Sequence, residues 1–311
     1  MLEIDSILDR KLLLVTGKGG IGKSFVSACI AQYATSLGKR VLIIQSAGCD
    51  QIAPYFSNLK KFDKQNDLEG NHKARHPSGV DSINLSAEDN FREYVVKYLG
   101  QKMLYETVFS NKVVKTFIKT IPGFSELMLL GRMYFTCELA SPPRYDLVVF
   151  DGFASGHFLS LMTTPDAVIN STLGGPLIKE TTRVKNFLKE GENTGIVFVA
   201  TPEDLVVSET LDFLPKLQSL APSPLVGLVI NKILAEFPEP SSNMADTFLH
   251  ERQVKTVIAM NDLRKGLLGL QIQGVDIPVF GIREYPVIRM PLQIDFAKEL
   301  FANNLIQKFW Q

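Results

Sequence analysis

The chain has 311 residues, 45% of them hydrophobic, which suits one large α/β domain or two small ones. Thirty-three basic residues balance thirty-three acidic ones, so no global field favours nucleic acid or an anionic membrane. The three cysteines, Cys29, Cys49 and Cys137, are scattered without a Cys-x-x-Cys pair, which argues against a zinc motif and a disulfide framework. The mixed charge of residues 1–10, followed by an apolar run of only five residues, does not fit a signal peptide. No run reaches the roughly eighteen apolar residues of a transmembrane helix. A soluble, cytoplasmic protein without an integral membrane segment is expected.

The first predicted element is a buried strand over residues 12–16, Leu-Leu-Leu-Val-Thr. It runs into Gly17-Lys18-Gly19-Gly20-Ile21-Gly22-Lys23-Ser24, which satisfies the phosphate-loop pattern G-x-x-x-x-G-K-[ST]. In such a loop, glycines let successive backbone N–H groups face phosphate oxygens. Lys23 would sit against the β- and γ-phosphates, and Ser24 would bind Mg²⁺. Residues 25–34 carry apolar positions on a helical period and end near Gly38. Strand, glycine loop and helix together are the setting this motif requires, with the helix N-terminus aimed at the anion.

A second strand is predicted over 40–45, and the polar stretch 58–82 reads as an exposed loop. Residues 88–133 follow a helical period, broken around Ile121-Pro122-Gly123. Further strands are expected at 147–151, 195–200, 225–231 and 279–282, and a closing helix at 291–309. The expected fold is therefore an α/β P-loop NTPase with a mostly parallel sheet flanked by helices. A single nucleotide-binding domain, 1–311, would carry a helical subdomain at 84–140. Lys18, Gln45, Asp151, Thr201 and Asn231 fall at the carboxyl ends of predicted strands, where such sheets bind ligands. Asp151, after four apolar residues, has the form of a metal-holding acid. The glycine-rich segment 152–157 behind it reads as a loop that senses the γ-phosphate. The four histidines have no metal-ligand spacing, and His157 reads as a structural part of that loop.

Residues 18–24 resemble the deviant phosphate loop of the MinD, ParA and ArsA ATPases. Tyr145-Asp146 through His157-Phe158-Leu159 is similar to the Y-D-x-[VI]-[VI]-F-D-T-A-P-T-G-H-T-L pattern of ArsA and tail-anchored-protein-targeting ATPases, whose ending MinD and ParA proteins do not usually share. Residues 121–127, Ile-Pro-Gly-Phe-Ser-Glu-Leu, look like a third family motif, and 173–184 with 201–205 resemble bacterial ArsA-like proteins. The resemblance implies ATP or ADP with Mg²⁺ as ligands, Gly17 to Ser24 and Phe25 around the phosphates, and Ser24 and Asp151 at the metal. It gives Lys18 and Lys23 catalytic roles, with Lys18 reaching across a dimer interface to the partner's phosphates. Asn231 would contact the base, and Tyr285 and Pro286 would pack on adenine. The family's Cys-x-x-Cys dimer link is absent here, and the longer insertion of the eukaryotic targeting factor is also missing.

The departures are as informative. The family writes its second strand end as [S]-T-D-P-A-x-[NS]-L, and its Asp orients the attacking water. Here Gln45-Ser46-Ala47-Gly48-Cys49-Asp50-Gln51-Ile52 stands in that place, with Ala47 at the acid's position. Alanine can neither accept a proton nor hold water. Asp50 on a reshaped loop is the alternative source of that function. Phe25 replaces a Thr, and Gly152, Phe153, Ala154 and Ser155 replace Thr, Ala, Pro and Thr.

Two readings follow. One is an ArsA-like, dimeric, ATP-dependent switch for a protein or membrane-linked client, with impaired hydrolysis. The other is a pseudo-ATPase subunit or scaffold that pairs with an active ArsA-like paralogue. A ParA- or MinD-like positioning ATPase fits less well, since neither a basic surface nor a membrane helix is evident. The apolar residues of 88–133 suit a hydrophobic client surface by resemblance, and equally the core faces of helices covering the sheet.

Overall fold

The computed structural model describes residues 3–46, 51–56, 65–66, 72–76, 78–85, 123–139, 144–171, 176–234, 244–269 and 279–284. Helix α1 (Glu3–Leu8) leads into β1 (Leu12–Gly17), then α2 (Lys23–Ser36) and β2 (Val41–Gln45). A short 3₁₀ turn (Ala53–Tyr55) follows, and then β3 (Gln65–Asn66), β4 (His72–Arg75) and β5 (Asp81–Asn84). Helix α3 (Phe124–Tyr134) continues as a π-helical turn (Phe135–Leu139) before β6 (Leu147–Ala154). The chain goes on through α4 (Ser155–Ile169), α5 (Pro176–Lys189), β7 (Thr194–Ala200), α6 (Asp204–Leu220), β8 (Leu225–Leu234), α7 (Met244–Gly269) and β9 (Val279–Glu284).

Among the described residues these strands form one nine-stranded sheet, in the order β3-β4-β5-β2-β6-β1-β7-β8-β9. The seven from β5 to β9 along that order pair in parallel, while β3 and β4 add an antiparallel edge. Strand β1 lies between β6 and β7, and the chain winds outward from it in both directions. That reversal opens a crevice at the carboxyl end of β1, the usual binding place in such sheets.

Burial explains why the strands read as unbroken apolar runs. Every residue of β1, β2 and β7 is buried, because helices cover both faces. Leu12, Leu13, Leu14 and Val15 have no exposed surface, and each contributes about 1.5–3 kcal/mol by leaving water. Residues 127–130 and Met133 of α3 are buried too, so this part of the helical stretch is core rather than client surface. The apolar residues between Tyr94 and Ile118 and the predicted helix at 291–309 lie outside the described residues.

Three expectations are corrected. The polar stretch 58–82 is not a single loop, since β3, β4 and the start of β5 fall within it. They are short strands at or near one edge of the sheet with few apolar residues, so they give no hydrophobic run to detect. Nor is there a loop after Asp151: β6 continues through Ala154 and passes straight into α4 at Ser155. The register explains the longer strand. Val15 pairs with Asp151 while Gly17 pairs with Ala154, a bulge that places one extra residue on β6 beside the acid. The strand at 225–231 also runs further, to Leu234, carrying Lys232 at φ 60°.

Candidate functional site: a phosphate loop facing a buried acid

The loop after β1 is shaped by backbone requirements. Gly17 has φ 147°, and a Cβ there would lie 2.2 Å from the Val199 carbonyl oxygen of β7. Gly22 has φ 92°, and a Cβ there would lie 2.4 Å from Asn231 Nδ2. Both positions therefore need glycine for conformation and for space. Helix α2 starts directly behind Gly22, with no side chain capping its N-terminus. Its first N–H groups lack helical partners, and the helix dipole adds positive potential there, which together make an anion seat.

Two side chains from the end of β8 brace the loop from behind. Asn231 Nδ2 donates to the Ile21 carbonyl at 2.7 Å, and Lys232 Nζ donates to the Gly20 carbonyl at 3.2 Å. These acceptor oxygens are thereby drawn toward β8, away from where an anion would collect. Asn231 is buried, so its amide is tied into the loop's structure. The left-handed backbone at Lys232 turns consecutive side chains of β8 onto one target.

The acid comes from the neighbouring strand. Asp151 Oδ2 accepts from Ser24 Oγ at 2.7 Å, and Oδ1 accepts from Ser27 Oγ at 3.1 Å. Burial pushes the Asp151 carboxyl above its ordinary pKa, against the opposing pull of the two serine bonds and the Lys23 charge. Burial likewise lowers the Lys23 ammonium, partly offset by Asp151. Lys23 Nζ donates to the Lys18 carbonyl at 3.0 Å, so the ammonium is folded over the loop. A low-dielectric pocket holding one lysine and one carboxylate suits a ligand carrying both anionic oxygens and a cation.

A cleft of about 420 Å³ opens over these groups, lined among others by Gly22, Lys23, Ser24, Gln51, Tyr55 and Asp151. Its volume falls within the range of small-molecule sites. Tyr55 and Phe153 are its aromatic lining, and Phe25 backs Tyr55 edge to face at 5.6 Å. Gln51 enters from the segment after β2: its Oε1 lies 3.3 Å from Ser24 Oγ, and its backbone N–H donates to Gln45 Oε1 at 2.9 Å. The oxygen-rich surroundings of Ser24 fit a hard cation such as Mg²⁺, with Ser24 and Asp151 as its protein partners.

The structure thus brings Gly17 to Ser24, Phe25, Asp151 and Asn231 together at one end of the sheet. Lys18 takes a different position from Lys23. Its Nζ makes an ion pair with Glu209 of α6 at 2.8 Å, on the protein surface. Ala47, Asp50, Tyr285 and Pro286 lie outside the described residues. His157 stacks on Phe153 with ring centroids 3.9 Å apart, and its Nε2 lies 3.2 Å from Glu126 Oε1 of α3. It joins the end of β6 to α3, which agrees with a structural role. Sequence reading missed Gln51, Tyr55, Ser27, Lys232 and Glu209. None has a motif of its own, and only Gln51 sat in a stretch already marked as departing from a pattern.

The described helices include none long and apolar enough to cross a membrane. The profile of the anion-transporting ATPases, the ArsA family, matches residues 10–174, which spans β1, the phosphate loop and Asp151. ATPase BagA of Mycobacterium tuberculosis is 26% identical over 233 residues, covering 74% of this chain and 67% of that protein. The ATPase ASNA1 homolog of Cryptosporidium parvum is 25% identical over 272 residues, covering 76% and 69%. ATPase asna-1 of Caenorhabditis elegans is 31% identical over 170 residues, covering 52% and 48%. Since the matched region holds the loop, the acid and the central strands that position them, the chain belongs to the ArsA family of anion-transporting ATPases.

Proposed function

We propose that this chain is a nucleotide-dependent switch that binds Mg·ATP and Mg·ADP between the phosphate loop and Asp151, and hydrolyses ATP slowly. The observation that carries the binding half is the 2.7 Å contact between Ser24 and Asp151 beneath the cleft. A hydroxyl and an acid in contact support this reading, because P-loop proteins use such a pair to clamp a metal. Lys23 would neutralise the β- and γ-phosphates, and the uncapped start of α2 would add backbone donors. The slow hydrolysis rests on Ala47, which stands where the family has its water-orienting Asp.

The working unit is a dimer, with Lys18 serving the partner's phosphates. Lys18 is compatible with this because its pair with Glu209 is exposed, and an exposed pair is worth only about 0–1 kcal/mol. A triphosphate can displace such a partner readily. The helical segment around 84–140 is read as a subdomain of a single nucleotide-binding domain, answering to a protein or membrane-linked client.

Ala47 also favours a second reading, a partner subunit that completes the site of an active ArsA-like paralogue while turning over little itself. Purified chain with Mg·ATP tests the first reading. Nucleotide binding with turnover far below that of a relative with an intact Thr-Asp-Pro is the expected result. Family-typical turnover by the chain alone, lost on Lys23→Ala, would sink the slow-hydrolysis proposal. Native mass spectrometry with ATP, with and without the paralogue, then separates homodimer from heterodimer; a nucleotide-independent monomer in both samples refutes the dimer.

A further inference from the structure

Gln51 belongs to no phosphate-loop motif, yet its side chain reaches Ser24 in the cleft. Ser24 has one hydroxyl proton, and two acceptor oxygens approach its Oγ: Asp151 Oδ2 at 2.7 Å and Gln51 Oε1 at 3.3 Å. The shorter contact is the better hydrogen bond, which leaves the Gln51 carbonyl facing oxygen. Three oxygens converging with a single proton among them form an electron-rich corner that a cation would relieve.

The spacing fits the same idea. Mg²⁺ holds oxygens at about 2.1 Å in an octahedron, which puts neighbouring ligand oxygens about 3.0 Å apart. The two observed separations, 2.7 and 3.3 Å, bracket that value. A shift of a few tenths of an ångström would bring Ser24 and Gln51 into one coordination sphere.

The placement of Gln51 is also supported from below. Gln45 is buried at the end of β2, directly beside Asp151 in the parallel register. Its Oε1 accepts the Gln51 backbone N–H at 2.9 Å, so the strand that flanks the acid also fixes the origin of the Gln51 side chain. A surface glutamine without such a tether would lose considerable side-chain entropy on settling over the cleft.

We infer that Gln51 is a third protein oxygen ligand for the nucleotide's divalent cation, beside Ser24 and Asp151. It thereby ties the start of the 3₁₀ turn at Ala53–Tyr55 to the metal. This rests on the nucleotide-binding reading above.

The test uses ADP as nucleotide and Mn²⁺ as a paramagnetic substitute for Mg²⁺, with Mn²⁺ affinity of the protein–ADP complex read by electron paramagnetic resonance. Gln51→Ala is expected to weaken Mn²⁺ about tenfold, the lower end of the effect of removing a group that supports a metal site. Its affinity for ADP in EDTA should match that of the unmodified chain. Gln51→Glu keeps an oxygen and adds charge, so its Mn²⁺ affinity should equal or exceed that of the unmodified chain. Circular dichroism checks that both variants fold. Unchanged Mn²⁺ affinity in Gln51→Ala overturns the assignment. So does an equal loss of ADP affinity in EDTA, or equal weakening by both variants, since either would mean that Gln51 shapes the loop only. Failure of the unmodified chain to bind ADP at all would refute the nucleotide reading itself, an outcome distinct from these.

Discussion

Replacing Asn231 by alanine tests whether this side chain is a brace for the phosphate loop. Its buried amide donates to the Ile21 carbonyl at 2.7 Å, from a residue far away in the chain. Asn231→Ala removes that donor and leaves the carbonyl without it, a loss of about 1–3 kcal/mol in the nucleotide-free protein. Gly22→Ala attacks the same contact from the other side. The positive φ of Gly22 costs an alanine about 1–2 kcal/mol. The new Cβ, 2.4 Å from Asn231 Nδ2, must also push the amide off Ile21, adding about 1–3 kcal/mol. In the double variant that second part vanishes, because the amide is already gone. Gly22→Ala on the Asn231→Ala background should therefore cost only the backbone strain, giving a coupling of about 1–3 kcal/mol. Urea unfolding of the four proteins without nucleotide, followed by far-ultraviolet circular dichroism, measures it. Additivity within about 0.5 kcal/mol, or an Asn231→Ala protein as stable as the unmodified chain, would refute the brace.

Asp151→Asn should raise the thermal midpoint of the nucleotide-free protein at neutral pH. Burial lifts the Asp151 carboxyl's pKa in the folded state, so its ionised form is disfavoured there relative to the unfolded chain, and a neutral amide removes that penalty. The same variant should lose Mg²⁺-dependent stabilisation by ADP; a lower midpoint without nucleotide contradicts the argument. The opposite sign holds for Asp146, just before β6. It accepts from the Arg40 backbone N–H and guanidinium at 2.7–3.0 Å, which holds its pKa down at about 2 against an ordinary 3.8. Its contribution is present above pH 3.8 and is lost as pH falls toward 2. Thermal midpoints of Asp146→Asn should fall less steeply than those of the unmodified chain across that window, and parallel curves would rule the pair out as a source of acid sensitivity.

The parts of the fold legible in the sequence were those whose burial is symmetrical. β1, β2 and β7 are covered on both faces and appear as continuous apolar runs, so they were found with errors of a residue or so. Strands β3, β4 and β5 lie toward the sheet edge, and segments such as His72-Lys73-Ala74-Arg75 show no such run. The extension of β6 past Asp151 depended on a bulge against β1, a long-range pairing that no local pattern encodes. The site divides in the same way. Gly17 to Ser24 and Asp151 were legible because one short motif and one strand end bring them to the cleft. Gln51 and Lys232 were not, since their roles arise from tertiary neighbours, Ser24 and the loop carbonyl of Gly20. Asn231 was singled out for contact with a base, whereas its hydrogen bond in the structure is to the loop.

The central position of β1 has a consequence for how this protein opens. Its amides are hydrogen-bonded on both sides, to β6 and β7, in the driest part of the sheet. Exchange of those amides with solvent needs disruption of the core, while the β3–β4 edge can open alone. The phosphate loop hangs from the slowest-opening strand, so dissolving the loop's anchor and unfolding the domain are one event. A ligand at a hundred times its dissociation constant adds about 2.7 kcal/mol to that event. Bound nucleotide would thus lengthen the lifetime of protons deep in the sheet, far from any phosphate, and leave those of the edge strands unchanged.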